Sequence, residues 1–268
     1  MKIAFTKMAG AGNDFLVIDN RAEILPVSRK KLFERWCDRR FGVGADGVLL
    51  VEDATDAHFR MRYYNADGGE AEMCGNGGRC ISRFAFLKGI APACMKFVSA
   101  AGNHRSEIVG ADVKLGMTDP TGLELDIDLP LDGGTRKVSF LNTGVPHVIE
   151  FVDDVDTVDV VGKGREIREH ERFAPAGTNA MFVQPIDRRS FRIRSYERGV
   201  EDETLACGTG TTAAAVIGTV SGLFDQPVTG ITRSGLPLTI HFERSGDTIS
   251  NVFLEGNAEI TFEGALTL

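Results

Sequence analysis

The sequence predicts an α+β protein made of two pseudo-symmetric copies of one domain, each a mostly antiparallel sheet around a central helix, with an active site in the cleft between them. Three observations predict it. The chain matches itself at an offset of about 133 positions. Short β-branched or alternating apolar runs recur between turn signals. Each half carries Cys-Gly-X-Gly at the head of a helical pattern, at Cys74 and at Cys207. The offset divides the chain into copies over 1–118 and 119–268, with the last strands free to pack with the first copy.

Taken in order, "GNDFLVID" (12–19) lies over "GVPHVIEF" (144–151) at an offset of 132, and "DFLVID" reads as a strand. "SRKKLFERWCDRR" (28–40) alternates basic residues with Leu32, Phe33, Trp36 and Cys37, the pattern of an amphipathic helix with a solvated face. "GADGVLLV" (44–51) lies over "GTNAMFVQ" (177–184); "GVLLVE" and "HFRMRYY" read as strands. "YYNADGGEAEMCGNG" (63–77) then lies over "YERGVEDETLACGTG" (196–210) without a gap. The helix after Cys74 places Ile81, Phe84, Ala85 and Leu87 at helical spacing and stops near Gly89. Downstream, Gly102 falls over Gly235. In the second copy "HVIEFV", "FRIRSY", "LTIHFE" and "NAEITFEG" read as strands, with "RSGD" (244–247) and "LEGN" (254–257) as turns. The helix after Cys207, "TTAAAVIGTV", has small residues all round its first turns, which predicts burial inside its own domain.

Composition narrows the function. The 268 residues are 43% hydrophobic and 25% charged, which is globular rather than disordered. A net charge of −8 and scattered Lys and Arg argue against a nucleic-acid partner. No run approaches the ~18 apolar residues of a membrane span, and "MKIAFTKMAGAGNDF" lacks a signal-peptide core. Five cysteines, an odd number, do not form a disulfide framework. The expectation is a reduced, cytoplasmic protein with no membrane partner.

The two Cys-Gly-X-Gly segments carry the chemistry. Cys74 and Cys80 are separated by five residues with no histidine cluster, which argues against metal. "GTGTTA" (208–213) matches a dinucleotide fingerprint, but the charged "RGVEDETLAC" leads into it instead of a buried strand. Two buried packing thiols would not need glycine after them twice over. Glycine lets a ligand approach the backbone, and the first N–H groups of a helix bind a carboxylate. The same positive end is expected to lower the thiol pKa from about 8.5. Two such half-sites facing one carbon would let one thiolate remove a proton and the other thiol return one on the opposite face, inverting configuration. Helix-end donors would stabilise the carbanion selectively. No pyridoxal-phosphate lysine motif or flavin signature is evident, so no cofactor and no metal is expected.

The segments "GAGNDFLVID", "YYNADGGEAEMCGNGGRC", "GTNAMFV" and "YERGVEDETLACGTGTTAA" together resemble the diaminopimelate epimerase family along nearly the whole chain. The resemblance implies cofactor-independent interconversion of LL- and meso-diaminopimelate for lysine and peptidoglycan synthesis. In the LL-to-meso direction it implies that Cys207 takes the proton and Cys74 donates one. It assigns Asn13, Asn65 and Asn179 to the ammonium and carboxylate groups, Arg198 to the distal carboxylate, and Gly75-Asn76 and Gly208-Thr209 to helix-end donors. It also implies that Glu197 contacts the substrate and that Glu197 and His147 tune the thiols. The expected partner is a small amino-acid substrate, with a homodimer as the one protein partner considered. Turn or loop roles also suit Asn13, Asn65 and Arg198, and a surface strand suits His147.

Two positions depart from the pattern. Val145 stands where the family usually has Asn, and aligns with Asn13; Asn142 or a water would have to replace its hydrogen bonds, or the substrate differs. Gly47 stands where some members have Gln. Two other readings stay open. One is a proline-racemase-like enzyme for another amino acid, although such relatives typically read Met-Cys-Gly-His-Gly where this chain has "MCGNG". The other is a non-catalytic binding or redox protein whose two thiols pair on oxidation.

Overall fold

The computed structural model describes residues 1–26, 28–246 and 248–268. They form two compact units, Met1–Gly116 with Gly256–Leu268, and Met117–Glu255.

In the first unit β1 (Lys2–Gly10) and β2 (Asn13–Asp19) form an antiparallel hairpin. Its turn passes through Ala11 and Gly12 at φ 47° and 98°, the left-handed region that glycine adopts freely. Helix α1 (Lys30–Cys37) leads to β3 (Gly47–Glu52), which lies parallel to β2. Strand β4 (Phe59–Asn65) returns antiparallel to β3, and the two-residue β5 (Glu70–Ala71) folds back on β4 to deliver the chain to α2 (Gly75–Leu87). Strand β6 (Cys94–Ser99) then runs parallel to β4, and β7 (Gly102–Val109) and β8 (Asp112–Gly116) complete a meander.

The second unit repeats these pairings. Strands β9 (Thr121–Leu131) and β10 (Gly134–Asn142) are antiparallel, as are β10 and β11 (Pro146–Phe151). After α3 (Val160–Glu169), β12 (Asn179–Asp187) lies parallel to β11, β13 (Ser190–Glu197) antiparallel to β12, and the short β14 (Asp202–Thr204) against β13. Helix α4 (Gly208–Val220) follows, then β15 (Val228–Ile231) parallel to β13, β16 (Pro237–Ser245) and β17 (Thr248–Asn257). Strand β18 (Glu259–Thr267) pairs antiparallel with β1, as β9 does with β10. Each unit is therefore a mostly antiparallel sheet broken by two parallel pairs.

Each sheet wraps a helix. Cys80, Ile81, Phe84 and Ala85 of α2 pack with Met8, Phe15, Leu49, Phe59, Met61 and Phe97 from the surrounding strands. Residues Gly210 through Gly218 of α4 are all buried, because Gly, Ala and Thr keep the helix thin enough for strands to close round it. The shorter helix α1 lies outside: its Phe33 and Trp36 pack against the other face of the first sheet, with Ile3, Leu16, Ile18 and Leu50. Helix α1 is shorter than the 28–40 pattern. Asp38 accepts the N–H groups of Arg40 and Phe41, each at 2.7 Å, and turns the chain out of the helix.

"LEGN" is not a turn. Leu254 and Glu255 pair with Ile240 and Thr239 inside β17, and the break falls one residue later, at Ala258. Of "RSGD", Asp247 lies outside the described residues. Among the described residues no helix is long and apolar enough to cross a membrane.

Candidate active site

Cys74 and Cys207 occupy the same place in their units. Each is the last extended residue before the buried helix, at φ −137°, ψ 123° and φ −119°, ψ 104° respectively, reached through the short strand β5 or β14. Neither side chain caps its helix, so the N–H groups of both first turns lack intrahelical acceptors.

The two glycines of each motif do different work. A Cβ on Gly77 would stand 3.1 Å from Leu49 Cδ2, and one on Gly210 would stand 2.5 Å from Met181 Sδ. Those glycines seat the helix against its sheet. At Gly75 nothing lies within 4 Å, and at Gly208 only Leu254 Cδ1 does, at 3.0 Å. The first glycine alone leaves the backbone open to a ligand.

The expectation that helix ends depress both thiols is overturned. Burial pushes Cys74 up, although the amides of Gly77 and Asn76 and the charge of Arg79 oppose it. Burial pushes Cys207 up to about 12, and the Glu197 carboxylate beside it adds to the rise against the Thr209 hydroxyl and the Gly210 amide. Cys207 Sγ lies 3.5 Å from Thr209 Oγ1. Few amide dipoles do not offset the loss of water around sulfur. All five cysteines are free.

In the first unit Asn13 Nδ2 donates to Asp46 Oδ2 at 2.9 Å, and its Oδ1 accepts Asn76 Nδ2 at 2.8 Å. This joins the β1–β2 turn to the head of α2. Asn65 is exposed at the β4–β5 turn, where its N–H and C=O pair with Gly69 and Gly68. A Cβ on Gly47 would collide with the Tyr64 carbonyl and stand 2.7 Å from Tyr63 Cε2, so the tyrosine occupies the space of a longer side chain there.

In the second unit Asn179 is buried at the start of β12, and its Oδ1 accepts the Arg198 backbone N–H at 2.8 Å. The Arg198 guanidinium reaches the Ala176 carbonyl at 2.8 Å. Glu197 Oε1 accepts the Thr204 hydroxyl. His147 on β11 is fully buried, not on the surface, and both ring nitrogens lack partners among the described residues. Burial, then the nearby charge of Arg198, lowers it to about 3, so the ring is neutral. The loop at Val145 is held without the usual amide. Asn142 Oδ1 is taken by the Gly144 N–H at 2.9 Å, and the Thr143 hydroxyl reaches the Thr209 carbonyl at 3.1 Å. Thr143 does here what the Asn13–Asn76 pair does in the first unit.

Sequence reasoning missed Asp46, Arg79 and Thr143. Arg79 had a signal, a lone charge in the apolar stripe of α2. Thr143 had none, since only the fold sets its hydroxyl against α4. Among the described residues no group of three or more His, Cys, Asp or Glu is placed to hold a metal ion.

The family model described as "Diaminopimelate epimerase" matches residues 5–122 and 139–261. The chain is 44% identical to a diaminopimelate epimerase of Aquifex aeolicus, over 98% of this chain and 97% of that protein. It is 45% identical to one of Hydrogenobaculum sp., over 98% of each. Among solved structures it superposes on a phenazine biosynthesis protein of the PhzF family from Bacillus anthracis with a TM-score of 0.75, at 16% identity over all of both chains. That likeness is of fold. With two thiols at matching helix heads and near-complete coverage at this identity, the chain belongs to the diaminopimelate epimerase family.

Proposed function

We propose that this protein interconverts LL- and meso-diaminopimelate by a cofactor-independent, two-thiol transfer of the α-proton, in lysine and peptidoglycan precursor synthesis. The observation that carries this is the repeated placement of a cysteine before an uncapped, buried helix, in a chain of this family. An α-proton of an amino acid is a weak acid, and its removal puts charge onto the carboxylate. Amide donors at the heads of α2 and α4 stabilise that charge without having to reorient.

In the LL-to-meso direction the Cys207 sulfur removes the α-proton. Its own proton passes to the Glu197 carboxylate beside it, which accounts for how a thiol with a raised pKa can act as a base. Cys74, kept protonated by its burial, returns a proton on the opposite face. The reverse direction exchanges the two roles. His147, neutral and with both nitrogens unpartnered, is a second group able to pair with a thiol or a carboxylate. Asn13, Asn65 and Asn179 take the polar groups at the reacting end. The Gly75-Asn76 and Gly208-Thr209 amides take its carboxylate, and Arg198 takes the distal one. The enzyme acts in the cytoplasm, where the precursor is made, and a homodimer is the assembly we favour.

The test is incubation of the reduced protein with LL-diaminopimelate in deuterated water, with no added cofactor. Proton NMR should show the α-proton signal disappearing as deuterated meso isomer accumulates. Absence of exchange with diaminopimelate, but exchange with proline or hydroxyproline, would overturn the substrate and leave the thiol chemistry.

A further inference from the structure

Arg79 is almost wholly buried, on α2. Buried arginines are normally paired with a carboxylate, but the contacts of this one are neutral. Nη2 donates to Asn76 Oδ1 at 2.6 Å, and Nε points to the Asn257 carbonyl at 3.4 Å. Among the described residues no ion pair to Arg79 is found. From Asn76 the hydrogen bonds continue to Asn13 and then to Asp46. The Asp46 carboxylate is held in turn by Arg39 Nη2 at 2.9 Å on Oδ1 and by the Asp14 amide at 3.2 Å on Oδ2.

The two ends of this chain differ in kind. A guanidinium only donates, and an ionised carboxylate only accepts. Between them each amide has one consistent orientation, with oxygen towards Arg79 and nitrogen towards Asp46. Reversing Asn76 would set an NH₂ group against the guanidinium; reversing Asn13 would set its oxygen against the carboxylate. Once these bonds are made, each amide keeps one N–H and one oxygen lone pair. An amide free to flip would present donor and acceptor in exchange at the same point.

We propose that Arg79 and Asp46 are positioning residues that polarise this chain, locking the Asn13 and Asn76 amides so that their spare donors and acceptors meet the ammonium and carboxylate of an amino-acid substrate in fixed order. This rests on the function proposed above. The second unit has no such device. Val145 aligns with Asn13, Thr209 with Asn76 and Thr212 with Arg79, and the strand pairings set Thr178 level with Asp46. A hydroxyl that rotates freely needs no orienting.

The test uses the full chain with Asp46→Asn, Arg79→Met and Arg79→Lys. Side-chain amide signals of Asn13 and Asn76 are followed by ¹⁵N NMR without substrate and assigned through Asn13→Ser and Asn76→Ser. KM and kcat are measured with LL-diaminopimelate, with Tm as the control for folding. Asp46→Asn and Arg79→Met should shift or broaden both amide signals and raise KM about tenfold, with kcat changed less than about threefold, since about 1.4 kcal/mol of binding is at stake. Arg79→Lys, which keeps a cationic donor, should recover part of the loss. Unchanged amide signals in folded variants, or a lowered Tm with KM intact, would overturn the proposal and leave Arg79 a packing residue. Should Arg79→Met not fold, Asp46→Asn decides, because that side chain is 36% exposed and carries little packing. A wild-type protein inactive on diaminopimelate would defeat the function while the amide signals still judged the polarised chain.

Discussion

In the first unit the thiol at the helix head has a buried guanidinium on the following turn, two asparagine amides in line, and a phenylalanine, Phe15, in the core beneath. In the second unit a carboxylate, Glu197, stands against the thiol, a hydroxyl replaces the Asn76 amide, and a buried histidine replaces the phenylalanine. The sheet pairings are alike strand for strand. Both units share the frame that sets a cysteine before a buried helix, and differ in the charge around it. The two thiols differ in their neighbours: a carboxylate lies beside Cys207, and backbone amides and the charge of Arg79 lie beside Cys74.

The largest effect should come from the thiols themselves. Cys74→Ala and Cys207→Ala should each lower inversion by at least about 10³-fold, and the double variant should be little worse than either, because coupled proton-transfer groups are not additive. Deuterium uptake into each isomer separately measures this. Turnover retained in one single variant would mean that only one unit supplies a base.

Next is Arg198, one residue beyond the position that the strand pairings set level with Asn65. Arg198→Leu should raise KM for diaminopimelate about 100-fold and leave exchange of a short amino acid nearly unchanged, since a charge-assisted hydrogen bond contributes roughly 1.5–3 kcal/mol. Asn65→Ala should affect both substrates alike and by less. Equal effects of Arg198→Leu on the two substrates would remove it as the distal anchor.

The buried Phe15 and His147 pair sharpens the contrast through stability. His147 is lowered in the fold from 6.5 to about 3, so the unfolded chain takes up its proton first as pH falls. Its contribution is whole above pH 6.5 and is lost as pH drops towards 3, on the order of 3 kcal/mol by pH 4.5. His147→Phe, which copies the first unit, should abolish this loss in denaturant titrations at pH 7 and 4.5. Asp14, held down to about 2 against its burial by Arg39 and Lys7, acts only below pH 3.8 and does not interfere. The same acid loss in the variant would show that His147 is not the group responsible. Glu197→Gln should lower turnover about tenfold and move the alkylation profile of Cys207 to lower pH, because the negative charge that raises it is gone. The profile of Cys74 should stay where it is.

How much of this was legible in the sequence follows from where the information sits. Strands such as "DFLVID" and "GVLLVE" show themselves because their apolar residues are contiguous, and the helix heads because Cys-Gly-X-Gly occurs twice in register. Strand β1 is masked by Lys7, a buried charge made tolerable by Asp14 at 2.9 Å and by the Gly44 carbonyl, neither of which a local pattern reveals. One hydrogen bond of the buried Arg79 reaches Asn257, 178 positions away. The thiol pKa values were misjudged because the N–H donors are local and visible, whereas the desolvation that outweighs them belongs to the folded unit.

Val145→Asn should have the smallest effect, and it tests whether the missing amide matters. Val145 is half-buried in a loop already fixed by Asn142 and Thr143, so its replacement meets no unmet structural demand. If the substrate needs an amide from both units, the variant should lower KM by more than about threefold, restoring a contact worth about 1 kcal/mol. If Thr143 has taken over the tie to α4 and the substrate relies on the first unit, KM should move by less than about twofold. The geometry favours the second outcome. Only the first unit has a charge at each end of its amide chain, and an unpolarised asparagine at 145 would be free to offer the substrate either its oxygen or its nitrogen. Combining Val145→Asn with Thr143→Val separates the loop tie from the substrate contact, since only a loop role is sensitive to loss of the hydroxyl.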